Sequence, residues 1–421
     1  MARNATGALL RRKSARLSLI ALVSILPVVF LASSPGPRDR IGSVIDEWGY
    51  SVASWEVENL PDKWLNQLTS LFGGGNSENE GIEAVLEYFR LNEELSAIDH
   101  EISRVVSGGE GELQELLARR EVLDDRRSAI QDEVEETIEG QISGVLSDEG
   151  LSWKLPFGDS DGYLFPPVDF RFDDSPSVLA ISPRERIELI DTRLLNPDLR
   201  LEDIEEIEGG VEEGEEISAL VTGTGGVATY PSVIPLSTSL RDTLRTIAHE
   251  WVHHYMIFYP LGRHYWDSVD MTTINETIAG VIGNEVGDRV YHTYYADLMD
   301  DAPVRPPTSP MSTVDRFDFN REMRETRLRA DELLAQGKVE EAERYLEEQR
   351  LFLADNGFFF RKLNQAFFAF HGIYADAPTS VDPIGGQVKG LRRRSVSLKD
   401  FIQTVSGISG FDEFLSYLEA E

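Results

Sequence analysis

The chain has 421 residues and carries 74 acidic against 40 basic side chains, a formal net charge of −34. That acidic excess argues against nucleic acid as a partner, since a phosphate backbone would be repelled, and is explained by solubility. There is no cysteine, which excludes disulfides and thiolate ligands and leaves His, Asp and Glu to hold any metal.

The charge is unevenly placed. Arg3, Arg11, Arg12, Lys13 and Arg16 have no acidic neighbour within residues 1–34, and Leu17 to Ala32 is almost wholly apolar. A basic stretch followed by an apolar one reads as a signal peptide or a single N-terminal membrane anchor over residues 1–34. The run is short for a spanning helix and Pro27 interrupts it. Ala32-Ser33-Ser34 has the small residues of a cleavage site, although the following Pro35 is a poor place to cut. Anchored or secreted, the remainder is expected to be exported and extracytoplasmic.

Residues 35–150 are expected to form a helical hairpin region. After the glycine-rich stretch 73–77, apolar residues from Ile82 to Val105 recur at helical spacing, and a second such run extends from Leu113 to Ile138 beyond Gly108-Gly109. Two amphipathic helices joined at glycines make an αα-hairpin, a packing or cap element that could also bind a protein partner. From 151 prolines interrupt the chain, with strand-like runs at Val168 to Phe172 and Val178 to Ile181. The acidic residues 201–217 read as a solvated face or loop. Leu220 to Thr222 and Val227 to Tyr230, separated by a glycine-rich turn, predict a β-hairpin leading into a helix capped by Ser239.

From 240 the pattern is mainly helical: Leu240 to Phe258, Thr273 to about Tyr295, a charged pair over Phe319 to Asp355 turning at Gln336-Gly337, an aromatic helix over Phe358 to Tyr374, and Leu398 to Ala420. Residues 300–310 read as a Pro-rich loop. The expected fold class is mainly α with a small β-sheet (α+β), with 151–421 as the second domain.

The chemistry is concentrated in His249-Glu250-Trp251-Val252-His253. On a helix, positions i and i+4 share a face, so both imidazoles can reach one metal ion while Glu250 stands beside it to take a proton from water. A third ligand is required. Glu276, in Asn275-Glu276-Thr277-Ile278-Ala279-Gly280, is the foremost candidate, and Glu285 is the reserve. Ala279, Gly280 and Gly283 lack bulk and would let the two helices approach. Adjacent to a ligand, His254 must point elsewhere. His264, His292 and Asp270 could orient a ligand or line the cleft. His371 and Tyr374 are candidate donors to a developing oxyanion, and Arg361 and Asn364 could bind peptide backbone or a terminus.

His249-Glu250-x-x-His253 with Asn275-Glu276-x-x-Ala279 downstream resembles the gluzincin metallopeptidases, most closely the bacterial predicted aminopeptidases and related exported proteins. The resemblance covers roughly 240–295. It implies a zincin-like core and one Zn2+ per chain on His249, His253 and Glu276. Glu250 would be the catalytic base, and an edge strand, Val227 to Ile234, would align a peptide or protein substrate. Where thermolysin-like members carry an aspartate after the small residue, this chain has Gly280, so His249 lacks that supporting carboxylate. Both endopeptidase and aminopeptidase action fit this ligand set. The alternative is a non-enzymatic surface or partner-binding protein with a structural or coincidental metal box.

Overall fold

A computed structural model of the chain describes residues 39–51, 78–108, 111–152, 164–298, 317–374, 377 and 379–419. The expected signal or anchor segment and the expected Pro-rich loop lie outside the described residues. Among the described residues, no helix is long and apolar enough to cross a membrane.

The short helix α1 (Arg40–Val44) precedes the two long helices of the hairpin, α2 (Glu78–Val106) and α3 (Leu113–Asp148). At 1.5 Å per residue α3 is about 54 Å long, too long for one core to cover. Among the described residues its outer part packs on α2, through Leu91, Leu95 and Ile98 against Leu123. Its inner part enters the main core, where Val134, Ile138 and Ile142 join Val85, Tyr88 and Phe89. There α3 also holds a strand: Glu135 and Glu139 accept the Phe172 and Phe170 amides at 2.8 and 3.1 Å.

That strand, β1 (Phe170–Phe172), pairs in parallel with β5 (Ser232–Ile234), Arg171 opposite Val233. Between them lie β2 (Ser177–Pro183), β3 (Asp191–Leu195), α4 (Leu201–Glu212) and β4 (Ile217–Gly223). The antiparallel sheet runs β3-β2-β4. Its two faces follow strand alternation. Leu179, Ile181, Ala219 and Val221 meet Ile207 and Val211 of α4, while Val178 and Ala180 meet Phe370 from the opposite side.

Two expectations need adjusting here. The acidic run does present a solvated face, with Glu202, Glu205 and Glu206 exposed, but residues 201–212 carry it as a helix and not a loop, because Ile207 and Val211 give the run one apolar side that the sheet covers. Leu220 to Thr222 and Val227 to Tyr230 do not pair as a hairpin, since β4 is taken by β2, Val221 opposite Leu179.

The helix α5 (Leu240–Met256) starts where Ser239 accepts the Asp242 amide, as expected, and is followed by α6 (Pro260–Arg263). It is the centre of the main core. Trp251 is buried on it and donates its indole N–H to the Pro166 carbonyl at 2.9 Å. Packed along it is α7 (Val269–Tyr294), capped by Ser268. This start precedes the expected Thr273, so Glu276 lies beyond the first turn and owes nothing to the helix dipole, whose influence fades within that turn.

The pair α8 (Phe319–Ala335) and α9 (Val339–Asp355) turns at Gly337, whose φ of +72° suits glycine. The expected aromatic helix is shorter, α10 (Gln365–Gly372), because Asn364 caps it by accepting the Phe367 amide. α11 (Ile384–Arg394), α12 (Leu398–Val405) and α13 (Phe411–Glu419) complete the chain. The last two replace one expected helix, the break falling at residues 406–410.

Candidate metal centre

His249 and His253 project from successive turns of α5, and Glu276 meets them from α7. The two Nε2 atoms are 3.1 Å apart, with Glu276 Oε2 3.3 Å from His249 and Oε1 3.4 Å from His253. These three side chains form a potential ligand triad. A tetrahedral ion with bonds of 2.0–2.2 Å separates its ligands by about 3.3–3.6 Å. The imidazole separation, and the distance from each imidazole to its nearer Glu276 oxygen, are close to that spacing. The His249 and His253 side chains are 18 % and 16 % exposed, so the cluster is not wholly closed to solvent.

Helix packing makes this meeting possible. A Cβ on Gly283 would stand 2.9 Å from the His249 amide nitrogen, and one on Gly287 would stand 2.5 Å from that of Arg245. Only glycine permits so close an approach at either position. Gly280, expected at this contact, has nothing within 4 Å of where its Cβ would stand, so no close approach depends on it. Asp288 fastens the same helix pair, accepting from Arg241 at 2.9 Å and from Arg245 at 2.7 Å.

The two glutamates differ in surroundings. Burial opposes charge on Glu276, but the His253 and His249 imidazoles and the Tyr265 hydroxyl outweigh it and hold the carboxyl below its ordinary range. Burial pushes Glu250 up to about 7, partly offset by His249 and reinforced by Glu276. Burial opposes charge on His249 too, and the neighbouring carboxylates outweigh it, raising its pKa. Burial dominates at His253 and lowers it.

Two residues that the pattern of the chain did not single out complete the centre. Tyr265 donates its hydroxyl to Glu276 Oε1 at 2.5 Å and stands edge-to-face on His253. Gly226 passes directly over the candidate base: a Cβ there would lie 2.6 Å from Glu250 Oε1. A tyrosine in a turn and a glycine in a glycine-rich loop carry no periodic signal that could have marked them.

The other candidates divide. The Tyr374 hydroxyl lies within electrostatic reach of Glu276 and Glu250, which add to burial in raising its pKa well above the ordinary value. His371 instead packs on Phe367 and Phe370, at ring spacings of 4.4 and 5.3 Å, and burial lowers its pKa. Glu285 is held by Arg392 through two bonds of 2.8 Å, away from the triad. His254 is buried with Nε2 2.7 Å from the Thr229 carbonyl oxygen. His264 pairs with Asp267, and His292 is exposed beside Tyr291. Asp270 has its pKa raised by burial and by Asp382.

Arg361 and Asn364 do not wait for substrate. They close the outer edge of β4, Arg361 donating to Glu208 and to the Val221 carbonyl, Asn364 to the Ala219 carbonyl at 2.9 Å. A buried strand edge needs such partners. Nor do residues 227–234 form one continuous edge strand. Val227 and Val233 exchange both backbone hydrogen bonds at 3.1 Å, and 232–234 belongs to β5.

No family model matches the chain, and no curated protein or solved structure matches it.

Proposed function

We propose that the protein is an exported zinc-dependent peptidase acting on peptide or protein substrates. The observation that carries this is the triangle of His249, His253 and Glu276 with Glu250 beside it on the same helix. Two imidazoles and one carboxylate, with no thiolate, suit a catalytic zinc that keeps one position open. Zinc bound there would polarise the scissile carbonyl and acidify a water. The chain supplies the rest. Tyr265 fixes the Glu276 carboxylate by its hydrogen bond. Glu250, beside the two histidines on the same helix, accepts a proton from the attacking water at its carboxylate and returns one to the leaving amine. The Tyr374 hydroxyl, kept protonated by burial and by the two glutamates, is the donor for the developing oxyanion.

The test is a peptide panel incubated with zinc-loaded wild type and Glu250→Gln. The wild type should cleave, and the variant should keep its zinc while losing about 10²- to 10⁴-fold in rate. A folded, zinc-bound wild type that cleaves no peptide would defeat this reading.

A further inference from the structure

Trp266 is 78 % exposed, although so large an apolar ring is ordinarily well covered. It stands edge-to-face on Tyr265 with ring centroids 4.5 Å apart, and the Tyr265 ring lies 5.9 Å from that of His253. An uncovered indole therefore shares one tyrosine with two members of the ligand triad. The backbone beneath it is anchored: Thr272 Oγ1 donates to the Tyr265 carbonyl at 2.8 Å, and Ser268 caps α7 immediately afterwards. The neighbouring polar groups are already partnered, since His264 Nδ1 lies 2.6 Å from Asp267 Oδ2. What this turn offers an incoming group is an apolar ring.

We infer that Trp266 is a specificity-determining residue, forming a subsite for a large apolar side chain, preferably aromatic, of the peptide substrate. The inference rests on the peptidase reading of the site. The two ring spacings together cover no more than about three residues of extended chain, so the recognised side chain lies within three positions of the scissile bond. An aromatic side chain gains an offset or edge-to-face contact with the indole, which an alanine is too short to make.

The test uses full-length, zinc-loaded protein and alanine-rich peptides in which one Phe is moved through the three positions on each side of the cleaved bond. Wild type should prefer Phe over Ala at one position by roughly 2- to 12-fold in kcat/KM. That ratio should fall towards one in Trp266→Ala and persist in Trp266→Phe, with zinc content equal in all three proteins. Loss of overall rate with the ratio intact would overturn the subsite, as would a wild type indifferent to the position of Phe. Failure of zinc-loaded wild type to cleave any peptide would instead overturn the peptidase reading, and the subsite would fall with it.

Discussion

Glu250 and Glu276 are both buried carboxyls, yet their surroundings drive them apart. Glu276 faces two imidazoles and a tyrosine hydroxyl and is held ionised, as a ligand must be, whereas burial raises Glu250 to about 7, a value suited to a base. The position of Glu250 depends on a residue that contributes no side chain. Gly226→Ala would put a Cβ 2.6 Å from Glu250 Oε1 and displace the carboxylate. We expect about a 100-fold loss of kcat with zinc retained, measured by steady-state kinetics alongside metal analysis. The histidine pair was legible from its i,i+4 spacing and Glu276 from the run Asn275 to Ala279. Asn275 itself is structural: its side-chain amide donates to the Leu261 and Met271 carbonyls. Tyr265 and Gly226 were not legible, because their roles exist only once distant segments meet.

The geometry of the candidate metal centre depends on the contact between α5 and α7, and glycine sets that contact. Gly287→Ala would drive a Cβ to 2.5 Å from the Arg245 backbone nitrogen, an overpacking expected to destabilise the fold by about 1–3 kcal/mol. Gly280→Ala meets nothing within 4 Å and should stabilise by about 0.5–1 kcal/mol through helix propensity. Urea unfolding of the two variants measures both signs. Asp288 adds a pH dependence. Burial opposes its charge, but hydrogen bonds from Arg241 and Arg245 prevail and lower its pKa from 3.8 to about 2. A carboxyl with a depressed folded-state pKa stabilises above its unfolded value and loses that contribution as pH falls through the folded one. The stability difference between wild type and Asp288→Asn should therefore shrink as pH drops from above 4 towards 2, as followed by denaturant midpoints.

The hairpin helices α2 and α3 were legible from their apolar periodicity, and α8 and α9 from their charge and the turn at Gln336-Gly337. Elements covered on both sides, or built from short runs, were less so. β2 was read from its apolar run Val178 to Ile181 and not from alternation, because Val178 and Ala180 face α10 while Leu179 and Ile181 face α4. β3, with Asp191 and Arg193 among its five residues, shows too little apolar pattern to be recognised.

Over the whole molecule, one core joins the base of the hairpin, β1, the metal helix and the C-terminal helices. The hairpin thus supports the strand that precedes the metal helix and extends outward beyond it. With 74 acids against 40 bases, the folded chain repels itself. Shortening the Debye length from about 30 Å to about 8 Å with salt should raise the thermal midpoint, as measured by calorimetry. Pairing of the minority bases with particular acids offsets part of that repulsion, as where buried Glu208 holds both Arg361 and Lys362. Such pairings could not be assigned among so many acids from sequence.

The most direct test of the central claim is zinc stoichiometry by mass spectrometry on purified wild type and Glu276→Ala after zinc loading and removal of the unbound ion. One zinc per chain in the wild type, lost in Glu276→Ala while its circular dichroism stays native, is the predicted result. A folded wild type that retains no zinc, or a Glu276→Ala variant that retains it undiminished, would contradict the assignment of His249, His253 and Glu276 as the metal centre.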